Sequence, residues 1–202
     1  MRARVPGKLA THISDIAKGA QLQVYAPSLR SLPEGSLLVM ATLPILDWNE
    51  CLLRDLLTLD KATSAPHVYA AILMIDPFAC WEDIAESLKD AGITGVANFP
   101  PASMIERSAA GVPVDAGQEL ELRRMEWFTS HGFKALFAIA SDSEITAAEK
   151  RLGSHLDGLI HLPAEALTRT MSEEMELVSL GQHGSSLPMF ALLDGTTSKR
   201  PT

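Results

Sequence analysis

A chain of 202 residues that is 47% hydrophobic can bury one sizeable core, and its length points to one domain rather than two. Its net charge of −8 and pI near 5.2 argue against a nucleic-acid surface, which needs clustered Lys and Arg to neutralise phosphates. No apolar run reaches the ~18 residues of a membrane span, and the opening MRARVPGKLATHISDI lacks the apolar centre of a signal peptide, so neither membrane nor nucleic acid is expected as a partner. Cys51 and Cys80 form no Cys-x-x-Cys pair and each falls on the expected inner side of a helix, which favours reduced core thiols and a cytoplasmic protein.

Taken in order, Arg2 to Val5 is all that is left for a first strand, because Leu9, Ile13, Ile16 and Ala17 mark one face of a helix ending at Gly19. Leu22 to Tyr25 reads as a short strand, and the turn-rich APSLRSLPEGS after it as a loop at a strand end. Ser36 to Leu46 fits either a buried strand or an apolar loop, and periodicity does not choose between them. Asp47 followed by Glu50 is a helix start, with Trp48, Leu52, Leu56 and Leu59 along one face. Val68 to Ile75 is a nearly unbroken apolar run, as in a strand buried on both faces, and Asp76 and Pro77 end it. Trp81, Ile84, Ala85 and Leu88 predict a helix over Cys80 to Ala91 closed by Gly92, and Ile93 to Phe99 a second strand. Strand, helix and strand within ~30 residues make one βαβ unit, whose strands must be parallel.

Beyond Pro101, the run ASMIERSAAGVPVDAG has no sustained period and reads as a long loop. Leu122, Met125 and Phe128 predict a helix over Gln118 to His131, and Ala135 to Ala140 a strand. Ser141 with Glu144 is a capping-box pattern for a helix carrying Ile145, Ala148 and Leu152. Leu156 to Leu162 is a further strand, Pro163 opens a helix running towards Leu180, and Leu187 to Leu193 is the candidate last strand. Strand and helix alternate throughout, which predicts a single α/β domain over 1–195 and a frayed tail over 196–202. In such folds chemistry collects at the carboxyl ends of strands, here at Asp76 and Asn98.

The order Tyr25 and Arg30, then Asp47-Trp48-Asn49-Glu50, Asp76-Pro77-Phe78, Gly95-Val96-Ala97-Asn98-Phe99-Pro100, Glu121 and finally Asp157-Gly158-Leu159-Ile160-His161 resembles the phosphoenolpyruvate hydrolase-like family of TIM-barrel enzymes, over roughly residues 7 to 163. The Asp-Pro-Phe and Asn-Phe-Pro pieces are its specific part, since they occur together across one βαβ unit. The resemblance implies a TIM-barrel-like parallel (β/α) barrel acting as a lyase or hydrolase on a small oxyacid or phosphorylated substrate, with Mg²⁺ or another divalent metal. On this reading Asp76 and Glu121 hold the metal, Tyr25, Arg30 and Asn98 bind substrate oxygens, and His161 moves a proton. The chain departs from the pattern in its short first strand, in Tyr25-Ala-Pro-Ser-Leu-Arg30, in Glu121-Leu122-Arg123 where a Glu-x-Glu pair is typical, and in Leu162-Pro163 after His161. A register slip would instead supply Glu119-Leu120-Glu121. The expected barrel is therefore incomplete or reduced from eight strands, with its open edge covered by a second copy in a homo-oligomer.

Each candidate has a plainer alternative. Asp76 either ligates or caps the next helix; Asn98 orients a substrate or satisfies a loop; His161 is an acid, base or ligand, or a satisfied interior histidine. Glu121 also complements a helix dipole, and Arg30 also suits a surface pair. Gly181-Gln182-His183-Gly184 is a weak phosphate cradle. His12, His67, His131 and His155 lack zinc-site spacing, and Gly-x-Ser-x-Gly, His-Glu-x-x-His and P-loop patterns are absent. Two functions stay open: an oxyacid lyase or hydrolase, and a catalytically degenerate barrel that binds a ligand or a protein partner.

Overall fold

The computed structural model describes residues 7–16, 22–31, 47–58, 67–103, 114–162, 175–181 and 185–194. Eight strands, β1 (Gly7–Ala10), β2 (Gln23–Tyr25), β3 (Val68–Ile72), β4 (Gly95–Asn98), β5 (Lys134–Ile139), β6 (Leu156–His161), β7 (Met175–Gly181) and β8 (Met189–Asp194), close into a barrel in the order β1-β2-β3-β4-β5-β6-β8-β7. Strands β1 to β6 and β8 are mutually parallel, whereas β7 runs antiparallel to both β8 and β1. The architecture is thus α/β and mostly parallel, but mixed.

Each helix turns one apolar face to the barrel. In α1 (Trp48–Leu56), Trp48, Asn49, Leu52 and Leu56 are buried, and the Asp47 side chain accepts from the Glu50 N–H at 2.9 Å to cap the first turn, as the sequence predicts. In α2 (Trp81–Asp90), Trp81, Ile84, Ala85 and Leu88 are buried, and Gly92 follows with φ of +72°. Helices α3 (Val114–Ser130), over β4 and β5, and α4 (Ser143–Leu152), over β5 and β6, turn Leu122, Met125, Phe128, Ile145, Ala148 and Leu152 inward. Alternation along the strands divides the core in two. Leu9, Val24, Tyr69, Ala71, Ala97, Leu136, Ala138, Ile160, Leu177, Phe190 and Leu192 fill the lumen, while Ala10, Tyr25, Val68, Ala70, Ile72, Val96, Phe137 and Leu159 face the helices.

Four sequence expectations are corrected. The barrel is neither open nor reduced, for eight strands close it, so no unpaired edge calls for a second copy. The first described strand is Gly7–Ala10, followed by a 3₁₀ turn at Ile13–Asp15 in place of the helix expected from Leu9; the strand expected at Arg2–Val5 lies outside the described residues. Leu9 had matched a helical spacing by coincidence. In the barrel it pairs with Val24 and points into the lumen, and Gly7 is required beside it because a Cβ there would lie 2.9 Å from both Leu177 Cβ and Leu22 O. The helix expected to run towards Leu180 ends instead in strand β7, because the gap between β8 and β1 can be sealed only by a strand hydrogen-bonded on both sides. A β7–β8 hairpin therefore stands where a TIM barrel has its last two βα units. The two thiols are not core groups: Cys51 is half-buried and Cys80, just ahead of α2, is exposed. Ser36 to Leu46, the loop at 104–113, the start of the expected helix at Pro163, the stretch 182–184 and the tail lie outside the described residues.

Candidate functional site

At the carboxyl ends of the parallel strands the lumen is closed by apolar side chains. Trp48, delivered by the first turn of α1, tilts against Phe99 with ring centroids 6.1 Å apart and donates its indole N–H to the Ala71 carbonyl at 3.2 Å. Ala26, Leu29 and Leu162 complete this plug, and Ser28 Oγ donates to the Trp48 carbonyl at 2.7 Å. The Phe99–Pro100 peptide in the turn after β4 is cis.

Around the plug, buried side chains tie helices to strand ends. The Asn49 amide pairs with both backbone groups of Leu73, accepting the Leu73 N–H at 3.0 Å and donating to the Leu73 carbonyl at 3.1 Å, and it also donates to Asp76 Oδ2 at 2.9 Å. Asn98 repeats the arrangement one strand further, accepting the Ala138 N–H at 2.6 Å and donating to the Ala138 carbonyl at 3.0 Å. In both cases an amide side chain replaces a strand's own donor and acceptor where the ladder stops, as buried backbone groups require. On α3, Glu121 accepts the Ala102 N–H at 3.0 Å; on α4, Glu144 Oε1 accepts from Ala140 N, Ser141 N and Ser141 Oγ. Glu144 thus reaches back as the Ser141–Glu144 pattern predicts, but the box is only half formed, since α4 starts from Asp142 without a side-chain cap and Ser141 Oγ donates to Glu144 rather than capping a backbone N–H.

All six sequence candidates reach this end of the barrel, but most of their polar atoms serve the fold. Asp76 accepts the Asn49 amide through Oδ2 and the Phe78 N–H through Oδ1 at 2.9 Å, so it forms a turn and not the cap of α2, which begins after Cys80. Asn98 is fully buried within the Ala138 pairing. Arg30 turns away to pair with Asp55 on α1. Tyr25 faces the helix layer, and its hydroxyl has no hydrogen-bond partner among the described residues. His161 ends β6 half-buried, at a position that alternates with the lumen residues Ile160 and Leu162. Glu121, only 1% exposed, is a carboxylate held inside the rim.

Arg123 is 69% exposed on its side chain and pairs with Glu119 at 2.7 Å, four residues back on the solvent face of α3. Residues two apart on a helix lie ~200° apart, so neither Arg123 nor Glu119 shares the face of Glu121. The metal that the resemblance implies finds a poor fit here: both Asp76 oxygens already accept N–H donors, and no group of three or more His, Cys, Asp or Glu that could hold a metal ion occurs among the described residues. Sequence reasoning omitted Asn49 as a rim residue, although it stands in the Asp-Trp-Asn-Glu motif and its buried amide on an otherwise apolar helix face was the signal.

At the opposite end, Tyr69 projects into the lumen and donates to Asp157 at 2.7 Å, with Lys134 Nζ 3.5 Å from the same carboxylate. Burial, then the hydrogen bond and charge of Asp157, push the Tyr69 phenol well above its ordinary range, so it stays a neutral donor. Gly95 makes room for this ring, since a Cβ there would lie 2.5 Å from Tyr69 Cδ1.

No protein-family model matches the chain. It is 29% identical over 189 residues, covering 90% of this chain and 91% of the relative, to the uncharacterized protein y4oT of Sinorhizobium fredii (strain NBRC 101917 / NGR234).

Proposed function

We propose that this barrel is catalytically degenerate and serves as a ligand-binding or protein-interaction module. The observation behind this reading is the use of the rim's polar groups: the side chains that the resemblance casts as metal and substrate ligands, Asp76 and Asn98, each engage two backbone or amide partners. Catalysis needs groups poised towards a reacting atom, and donors or acceptors tied into the scaffold must first give up those bonds. The apolar plug of Trp48 and Phe99 works in the same direction, because a small oxyacid is anionic and gains nothing from an apolar lining.

A second reading keeps one observation in its favour. A carboxylate as buried as Glu121 at a strand-end rim is a recurrent feature of acid–base sites, and His161 at the carboxyl end of β6 carries a ring able to move a proton. That reading is a lyase or hydrolase acting on a small oxyacid or phosphorylated substrate, in a homo-oligomeric cytoplasmic protein. The two are separated by thermal-shift scans with Mg²⁺, Mn²⁺, phosphoenolpyruvate and oxaloacetate, singly and combined, alongside assays for loss of each oxyacid. Degeneracy predicts no turnover and no shift that depends on metal and oxyacid together. Turnover that disappears in both Glu121→Gln and His161→Gln, with folding intact, establishes the enzyme reading.

A further inference from the structure

The solvent side of α2 is an acidic ridge with a groove along each flank. Towards α3 lies a groove of about 340 Å³ with Glu82, Glu86, Asp90 and one cation, Lys89, around Ala85 on one wall and Trp127 and His131 on the other. The two rings lie against each other with centroids 4.1 Å apart and planes tilted by 34°, His131 Nδ1 lies 2.8 Å from the Trp127 carbonyl, and Trp127 meets Phe128 edge-on at 5.0 Å, so this aromatic wall is braced from behind. Towards α1 lies a second groove of about 330 Å³ that shares Glu86 and Asp90, adds Asp83, and has Leu56 and the 79% exposed Leu57 as its apolar side.

Glu82, Glu86 and Asp90 recur at four-residue intervals, where like charges repel and cost a helix stability. Among the described residues none of them, nor Asp83, forms an ion pair. Of the neighbouring cations, Arg124 lies over Trp81 and Arg151 pairs with Glu119 and Glu126, while Lys89, on the groove wall itself, leans over Phe133 at 5.6 Å and forms no ion pair with the α2 carboxylates. Glu119 and Glu126 of α3 are thus neutralised within the fold, whereas Glu82, Asp83, Glu86 and Asp90 of α2 are not.

We propose that this ridge docks a basic, amphipathic polypeptide segment of another protein. Its Arg or Lys side chains pair with Glu82, Glu86 and Asp90, one guanidinium lies flat on the Trp127–His131 wall, and an apolar residue enters the groove beside Leu56 and Leu57. A second copy of this chain is a poor occupant, because each copy carries a net charge of −8. The surface belongs to the helix layer and not to the strand-end rim, so it stands or falls independently of the function proposed above.

The test is an NMR titration of the full chain, at physiological ionic strength, with a synthetic peptide built of Arg-Leu-Leu-Arg repeats and with its Glu-for-Arg counterpart. Binding of the basic peptide should move the Trp127 indole N–H resonance and the α2 amides. The doubly substituted chain Glu86→Lys, Asp90→Lys should bind it at least about tenfold more weakly, while Glu176→Lys, a reversal on distant β7, should change affinity less than about twofold. The substituted groups of α2 are exposed, so folding should survive and is checked by the unchanged spectrum elsewhere. Absence of binding, an unmoved Trp127 resonance, equal affinity for the acidic peptide, or equal weakening by Glu176→Lys would each overturn the proposal.

Discussion

Replacing Asn98 by leucine removes an amide that is fully buried and bonded to both backbone groups of Ala138 at 2.6 and 3.0 Å. Leucine has a similar volume, so the main loss is polar: an N–H and a C=O on β5 are left without partners where water cannot reach. Each orphaned buried group costs ~1–3 kcal/mol, which gives ~2–6 kcal/mol before the gain from leucine's apolar surface, and about 3 kcal/mol net. For a chain of this size that corresponds to a fall in Tm of roughly 6–12 °C. Urea unfolding followed by circular dichroism measures the loss, and hydrogen exchange at the Ala138 amide localises it. A loss below ~1 kcal/mol with the Ala138 amide still protected would refute the reasoning, and would return Asn98 to the list of groups free to meet a ligand.

Gly95→Ala should destabilise by ~1–3 kcal/mol through overpacking, because its Cβ would lie 2.5 Å from Tyr69 Cδ1 and 2.8 Å from the Val68 carbonyl; calorimetry that finds the variant as stable as the parent would contradict this. Arg151 holds the Glu126 carboxyl below the usual carboxylate range by hydrogen bonding, and Arg123 and then Arg151 do the same for Glu119. A carboxyl whose folded pKa is depressed contributes stability above the unfolded value of about 4.3 and loses it as pH falls through the folded value. Arg151→Met should therefore flatten the acid limb of the stability curve, with at most ~1 kcal/mol lost at neutral pH from the part-exposed Glu126 pair; identical urea midpoints for parent and variant from neutral pH down to about pH 3 would exclude it. Arg123→Glu should leave calorimetric heats with Mg²⁺ and Mn²⁺ unchanged, since Arg123 lies on the solvent face of α3, and new saturable binding would show that this position meets the rim after all.

Those elements whose identity follows from local chemistry were legible before the structure. The Asp47 cap, the buried run from Val68, the α2 face and Gly92, and the Ser141–Glu144 reach-back all depend on residues within one or two turns of each other. Leu9 and the Met175–Gly181 stretch were misread because their state is decided at long range: Leu9 is defined by Val24 across the β1–β2 ladder and Leu177 by Gly7 across the closing one. The rim shows the same division. That Tyr25, Asp76, Asn98 and His161 reach one end of the barrel follows from strand order, but which way each points does not. Asn98 falls between the lumen residues Ala97 and Phe99 and so pairs sideways with β5, a consequence of register that no tripeptide motif encodes. Arg123 was misplaced for a simpler reason, since helical geometry separates it from Glu121 whatever the alignment.

The hairpin that seals the barrel also sets the order of events during synthesis. The closing ladder joins residues 7 and 8 to residues 176 and 177, and β8, which links β7 to β6, comes later still. While the ribosome is making the middle of the chain, the β1 and β6 edges and their apolar lumen residues have no partner, which is the condition in which nascent chains recruit chaperones or join one another. Closing so long a loop is also slow, because its entropy is lost before any contact across it is made. Lesions in the hairpin should accordingly show up in a cell as lowered abundance, with the surviving molecules unaltered at rim and ridge alike.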